Sequence, residues 1–208
     1  MTDQSEITRK RRPDARPAEI VEAALDLFTE RGFSATRLED VASRAGLSKA
    51  AIYLYFKDKT SLLKAVVQAT VGPNIGMASA LLSQHQGPVA PLLGQLLAVI
   101  AGRMAEGRLP RLIKLIISES RAHPEIGRWY LENVINAALP LFQSLIEKGI
   151  ATGEFRAVDV RLAVKSLIGP MLIGAMWKSV FEPLGAEPID IEALAAQHTD
   201  LMMRGLRP

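Results

Sequence analysis

No cysteine occurs anywhere in the chain. A disulfide framework, a thiolate metal site and cysteine-based catalysis are therefore all excluded. Histidine is almost as scarce. His85, His123 and His198 are far apart, and none has a metal-ligating residue type four positions on, so no metal site is predicted. Long apolar runs are missing as well. The longest, Ser166 to Trp177, has 12 residues between Lys165 and Lys178, whereas a bilayer span takes roughly 20, so no membrane partner is predicted. The first residues carry Asp3, Glu6 and the run Arg9 to Arg12 with no apolar stretch behind them, the pattern of a chain that stays in the cytoplasm. There is no Gly-rich phosphate loop, no Ser/His/Asp arrangement in a recognisable context and no pair of carboxylates on an apolar face. Glu119, between Ser118 and Ser120, comes nearest to a catalytic group, and a solvated helix end explains it equally well. No catalytic residue and no cofactor are predicted.

What is present reads as helix. Apolar residues make up 49% of the 208 and charged residues 23%, enough of both for a packed core under a wetted surface. Ile20, Ala23, Ala24, Leu27 and Phe28 repeat at helical spacing and stop before Gly32. Thr36-Arg37-Leu38-Glu39 reads as a capping box opening a second helix, which ends at Ala45-Gly46. Ser48 caps a third helix reaching about Phe56. Asp58 caps a fourth that carries Leu62, Leu63, Val66 and Val67 toward a stop at Gly72-Pro73. Further helices are predicted at roughly 75–84, 89–106, 109–121, 124–151, 159–181 and 190–205, with Pro124, Asp159 and Asp190 at their starts. No convincing strand is found. The fold class is all-α, a small N-terminal unit joined to a larger helical bundle through a helix near 59–71 and not through a floppy linker.

The informative stretch is Thr36 to Lys59. Two short helices joined by Ala45-Gly46-Leu47 have the length and turn glycine of a helix-turn-helix, whose second helix enters the DNA major groove. Within 48–56, Ile52 and Phe56 form an apolar seam with Val41, Ala42 and Leu47, while Lys49, Ala50 and Tyr53 occupy a neighbouring face that the core does not require. The chain has only 11 aromatics, yet Tyr53, Tyr55 and Phe56 fall together. A phenol offers its ring to a thymine methyl and its hydroxyl to a phosphate. Upstream, Arg9, Lys10, Arg11, Arg12 and Arg16 are opposed only by Asp14, a basic arm suited to nucleic acid or to plain solvation.

Residues 17–64 resemble the DNA-binding domain of the tetracycline-repressor (TetR) family of bacterial transcription regulators. The likeness rests on Ile20-Val21-Glu22-Ala23-Ala24 with Leu27-Phe28 and Gly32-Phe33, then Thr36-Arg37, Val41-Ala42 and Ala45-Gly46-Leu47-Ser48-Lys49, closing on Ile52-Tyr53-Leu54-Tyr55-Phe56-Lys57-Asp58-Lys59 and Leu62-Leu63. The resemblance implies an arm at 1–16, a helix-turn-helix domain at 17–64 and a ligand-binding and dimerisation domain at 65–208. It implies base contacts by Arg37, Lys49, Ala50 and Tyr53. It also implies phosphate contacts by Thr36, Ser48, Tyr55, Lys57 and Lys59, with Arg11 and Arg12 of the arm reaching along the duplex. Ala51, where a hydroxyl is common, and Leu54 depart from the pattern. The implied function is a homodimeric repressor of a pseudo-palindromic double-stranded DNA operator, released by a small hydrophobic effector. A helical protein–protein adaptor that has lost DNA reading is the rival.

Two uses of the bundle follow from the same resemblance. The helices at 159–181 and 190–205 would pair across a dimer, with Gly169 and Gly174 allowing close approach and Leu194, Leu201 and Met202 forming a stripe. Met104, Tyr130, Asn133, Phe142, Met171 and Trp177 are the candidate lining of an effector pocket.

Overall fold

A computed structural model describes residues 16–208, and all regular structure among them is helical. The elements are α1 (Arg16–Arg31), α2 (Leu38–Arg44), α3 (Lys49–Ile52), α4 (Lys59–Gln84), α5 (Val89–Ala105), α6 (Arg108–Glu119), α7 (Pro124–Tyr130), α8 (Asn136–Ala151), α9 (Val160–Met176) and α10 (Ile191–Leu206). A π-helical turn at Leu131–Ile135 joins α7 to α8, so the two run on as one rod. Another at Trp177–Phe181 extends α9.

The predicted starts at Ser48, Asp58, Asp159 and Asp190 are made as expected. Each side chain accepts the N–H three residues on, at 3.2, 2.6, 3.1 and 2.9 Å respectively, which satisfies an otherwise orphaned donor of the first turn. Gly46 closes α2 with φ +67°, a conformation that costs a residue with a Cβ.

Three expectations are corrected. The start of α2 is shifted by one residue: Arg37 precedes the helix, and the Asp40 carboxylate, not that of Glu39, accepts from the Arg37 N–H at 3.0 Å. Thr36 turns inward, 1% exposed, its hydroxyl donating to Gly32 O at 2.8 Å, where the end of α1 leaves carbonyls without partners. The regular part of α3 is only four residues long, although Tyr55 and Phe56 still donate to Ile52 O at 3.0 Å and carry the turn onward. Finally, α4 does not stop at Gly72-Pro73 but runs 26 residues straight through. An interior proline costs about 3 kcal/mol. Burial of Val66 and Val67 on one side of it and Ala78 on the other offsets that cost, and the Thr70 and Asn74 side chains donate to backbone carbonyls in the adjoining turns.

Helical continuity also revises the reading of apolar runs. By length and composition, α4 and the rod 160–184 are long and apolar enough to cross a bilayer. Their side chains are committed elsewhere. Leu62, Leu63, Val66 and Val67 of α4 are buried around α1, and Val164, Leu167, Met171 and Ala175 of α9 are buried among neighbouring helices.

The principal core joins the helix-turn-helix helices to α6 and α7. Ile20, Leu27 and Phe28 of α1, Val41 of α2, Ile52 of α3 and Leu62 of α4 share it with Leu112, Leu115 and Ile116 of α6 and Ile126 of α7. A second core joins α5, α8 and α9. There Gly149 is required, because a Cβ would overlap the buried Phe155 ring. Helix α10 lies along α5 and α9.

Candidate nucleic-acid interface

The helix-turn-helix is held by its apolar seam. Ile52 is fully buried with Val41 and Ala42, and Leu47 and Phe56 pack partly against them. With that face used, the opposite one is left to solvent. Lys49 and Ala50 are exposed, Tyr53 is 46% and Tyr55 41% exposed. Leu54, between the tyrosines, stands out at 84%. Ser48 and Lys57 lie at the two ends of the same exposed stretch. Arg37, just ahead of α2, is exposed too. Its charge is close enough to Lys49 to repel it.

The structure draws two of the four expected base-reading residues, Lys49 and Tyr53, around one carboxylate that sequence reasoning missed. Glu39 Oε1 lies 3.0 Å from Lys49 Nζ and accepts a hydrogen bond from the Tyr53 hydroxyl at 3.2 Å. The Glu39 carboxyl is held below the usual carboxylate range, first by its own backbone N–H, then by Lys49 and Tyr53. The Lys49 ammonium is correspondingly pushed up by Glu39. Lys49 is exposed and Glu39 only half-buried, so solvent screens the pair and its net contribution to stability is small. Its geometric consequence is larger, because it orients two side chains of α3 from α2. A signal existed in the sequence, the ten-residue interval between Glu39 and Lys49, but it has meaning only once the turn folds one helix against the other.

Two expected phosphate contacts are used otherwise. Thr36, buried as described above, presents no hydroxyl outward. Lys59 points back to the α1–α2 turn, where its ammonium donates to Phe33 O at 2.6 Å and Ser34 O at 3.1 Å and lies 4.4 Å from the Phe33 ring centroid. Burial pulls this ammonium below the ordinary lysine range, with Glu119 opposing. Lysine's long stem lets a residue at the start of α4 reach that turn. Replacing Lys59 with alanine is expected to cost about 1–2 kcal/mol of stability, because carbonyls that accepted from a cation lose their donor. Thermal melting checks this, and an unchanged midpoint would show the contact to be incidental. Arg11 and Arg12 lie outside the described residues.

The same turn is gripped from the bundle. Glu119, at the end of α6, accepts from the Phe33 N–H at 3.1 Å and from the Ser34 hydroxyl at 3.2 Å. His123 lies edge-on to Phe33, with ring centroids 5.2 Å apart, and its Nε2 is 3.1 Å from Ser34 Oγ. Arg108 of α6 pairs with Glu22 of α1 at 2.5 Å. Glu119 is thus a structural tie between α6 and the turn that leads into α2.

The six candidate pocket residues do not meet. Met104 packs with Ile113, Ala175 and Ile191, Met171 with Ala101 and Ala195, and Phe142 within the α5–α8–α9 core. Tyr130 is half-buried against the principal core, Asn133 is exposed, and Trp177 donates its indole N–H to Glu187 O at 2.8 Å. An open cleft of about 330 Å3 lies instead between α4, α5 and α8, lined by Leu82, Leu92, Leu141 and Leu145 with His85 and Lys148 among its polar residues. None of the six lines it. Three helices must converge to make such a wall, and no single stretch of sequence carries that information. Among the expected dimer residues, Leu201 is 61% exposed and Met202 partly buried, and a Cβ on Gly169 would meet nothing. Gly174 is buried, and a Cβ there would crowd Leu194 of the same chain.

Comparison with known proteins agrees with this geometry. Residues 20–66 match the family model of bacterial regulatory proteins of the tetR family, and residues 84–197 match the tetracyclin repressor-like C-terminal domain. The chain is 26% identical over 188 residues, 89% of each chain, to the uncharacterised HTH-type transcriptional regulator YfiR of Bacillus subtilis (strain 168). It is 23% identical to the HTH-type transcriptional repressor KstR2 of Mycolicibacterium smegmatis, over 88% of this chain and 89% of that one. A TetR-family transcriptional regulator from Mesorhizobium loti superposes with TM-score 0.73 at 26% identity, covering 96% of this chain and all of the other. With both segments matched in order, and a helix-turn-helix whose solvent face is cationic and phenolic, the chain belongs to the TetR family of bacterial regulatory proteins and is a DNA-binding transcriptional regulator.

Proposed function

We propose that the chain acts as a homodimeric repressor, released from a pseudo-palindromic operator by a small hydrophobic effector. The observation that carries this reading is the surface on which Arg37, Lys49, Ala50, Tyr53 and Tyr55 face solvent together while Val41, Ala42 and Ile52 hold the helices behind them. Lysine reaches guanine acceptors, alanine leaves room for a thymine methyl, and phenols contact base edges or phosphates. Ser48, Tyr55 and Lys57 are positioned to touch backbone, and the arm at 1–16 supplies further positive charge ahead of the reading unit at 17–64.

One such unit reads only a few base pairs, so two are needed at half-sites about 34–36 Å apart. The rod formed by α9 and its extension exposes Leu172, Ile173, Trp177 and Phe181, and α10 exposes Leu201. An apolar face of this kind, within 65–208, suits a second copy of the chain. Gly174 and Leu194 serve packing between α9 and α10 inside one subunit, leaving the exposed side chains and the open Gly169 for the contact between subunits.

The sign of regulation is supported by relatives named as repressors, KstR2 of Mycolicibacterium smegmatis and of Rhodococcus jostii. Operator DNA places the protein's work in the cytoplasm. For the effector, the leucine-walled cleft between α4, α5 and α8 offers an apolar entry next to the buried Phe142. Helix α6 supplies the route outward, since its Glu119 holds the turn leading into α2. An effector that fits better when α6 is displaced would shift the population away from the DNA-reading arrangement.

Fluorescence anisotropy on duplexes from upstream of the protein's own gene tests the core of this reading. The wild-type chain is expected to bind one fragment well above a scrambled control. Tyr53→Ala should weaken that binding by roughly 10- to 100-fold per engaged subunit, corresponding to about 1–3 kcal/mol per lost base contact. If the wild type shows no preference for any such fragment at physiological salt, the proposal fails.

A further inference from the structure

We infer that Glu39 is a positioning residue that suppresses sequence-independent DNA binding, by occupying Lys49 and the Tyr53 hydroxyl until a matching base edge engages them. The inference rests on the DNA-reading role proposed above and assigns regulation within that same surface. Its carboxylate is a spare one. Asp40 already caps α2 by accepting the Arg37 N–H, so Glu39 is left to reach across to α3. There it takes an ammonium at 3.0 Å and a phenol proton at 3.2 Å. The Lys49 side chain is 73% exposed and that of Glu39 34%, so the pair stands on the surface that a duplex would cover.

The chemistry differs between a random and a matching duplex. Sequence-independent affinity comes from cations that neutralise phosphates and release counterions. A lysine already paired with a carboxylate adds little to that term. Pulling it away to a phosphate would leave the Glu39 charge uncompensated beside a polyanion. A guanine edge makes a different demand. Lysine carries three donors, so Lys49 can keep Glu39 with one and give another to guanine O6 or N7. Tyr53 is polarised in the same way. With its proton given to Glu39, the phenol oxygen faces the duplex as an acceptor, suited to the amino group of adenine or cytosine and unsuited to a phosphate oxygen.

Anisotropy titrations of the full chain on a random-sequence duplex across a salt series test this without knowledge of the operator. Glu39→Gln is expected to tighten binding by roughly tenfold per engaged subunit at about 0.1 M salt, and to steepen the log–log salt slope by about one per subunit. Adding Lys49→Ala to Glu39→Gln should abolish the gain, returning affinity and slope close to the wild-type values. Glutamine keeps the size of the side chain and an acceptor for Tyr53, so the melting temperature should stay near that of the wild type. The inference is overturned if Glu39→Gln binds random DNA no more tightly than wild type, or if its gain persists when Lys49→Ala is added. Absence of salt-dependent binding by the wild-type chain to any duplex would instead overturn the DNA-reading proposal, and this inference with it.

Discussion

Replacing Phe28 with alanine is expected to cost about 3–5 kcal/mol of folding stability, the range for truncating a large aromatic in a well-packed core. Phe28 is fully buried in the apolar cluster that α1, α2, α3 and α4 share with α6 and α7. Its ring tilts against Phe33 at 5.5 Å between centroids. Phe33 in turn carries the Lys59 ammonium on its face and meets His123 edge-on. Truncation therefore opens a cavity beneath the turn that α4 and α6 both grip. Against a usual total stability of about 5–15 kcal/mol, such a loss is a large fraction. Urea unfolding followed by circular dichroism is expected to show a midpoint shifted down with the slope unchanged. A loss below about 1 kcal/mol would mean that the ring is not packed as described. Because this core spans α1 to α7, helix-turn-helix and bundle should melt in one transition. Two separated transitions would argue against the shared core.

Ile173→Glu is expected to split the proposed dimer without unfolding the subunit. Ile173 is 67% exposed on α9, beside Leu172 and in line with Trp177 and Phe181. Within one chain it gives up little on substitution. Across an interface between two copies, the two-fold axis would bury the new carboxylate twice, and unpaired buried charge costs several kcal/mol. Sedimentation velocity should report a species of one chain where the wild type gives two, with the helical circular dichroism signal retained. Operator affinity should fall by at least about 100-fold, because two linked half-site contacts gain roughly 10²–10⁴ from their effective concentration. A variant that remains dimeric would place the subunit contact on another face.

Much of this protein could be read from local signals. Side chains that cap a helix do so within three residues, so Ser48, Asp58, Asp159 and Asp190 announce their helices directly. The periodic stripe of α1 and the turn glycine at Gly46 act over similarly short distances. The exposed Ala50 and Tyr53 follow from the same arithmetic, since Ile52 must face inward and residues two before and one after it turn to other faces.

Other features depend on partners remote in the chain. Thr36 looks like a cap until the end of α1 offers it a carbonyl, and Lys59 looks like a phosphate ligand until the Phe33 turn folds within reach of its stem. Pro73 reads as a stop because its cost is local, whereas the burial that outweighs it comes from helices elsewhere. Periodicity and capping, which act within a few residues, suffice for an all-helical chain and for the face of the helix-turn-helix left to solvent. That Glu39 holds Lys49 and Tyr53, that α6 grips the turn before α2, and that a leucine-walled cleft opens between α4, α5 and α8 follows only from how the helices pack. Each of those needs side chains from separate helices to converge, and convergence is set by how the helices pack.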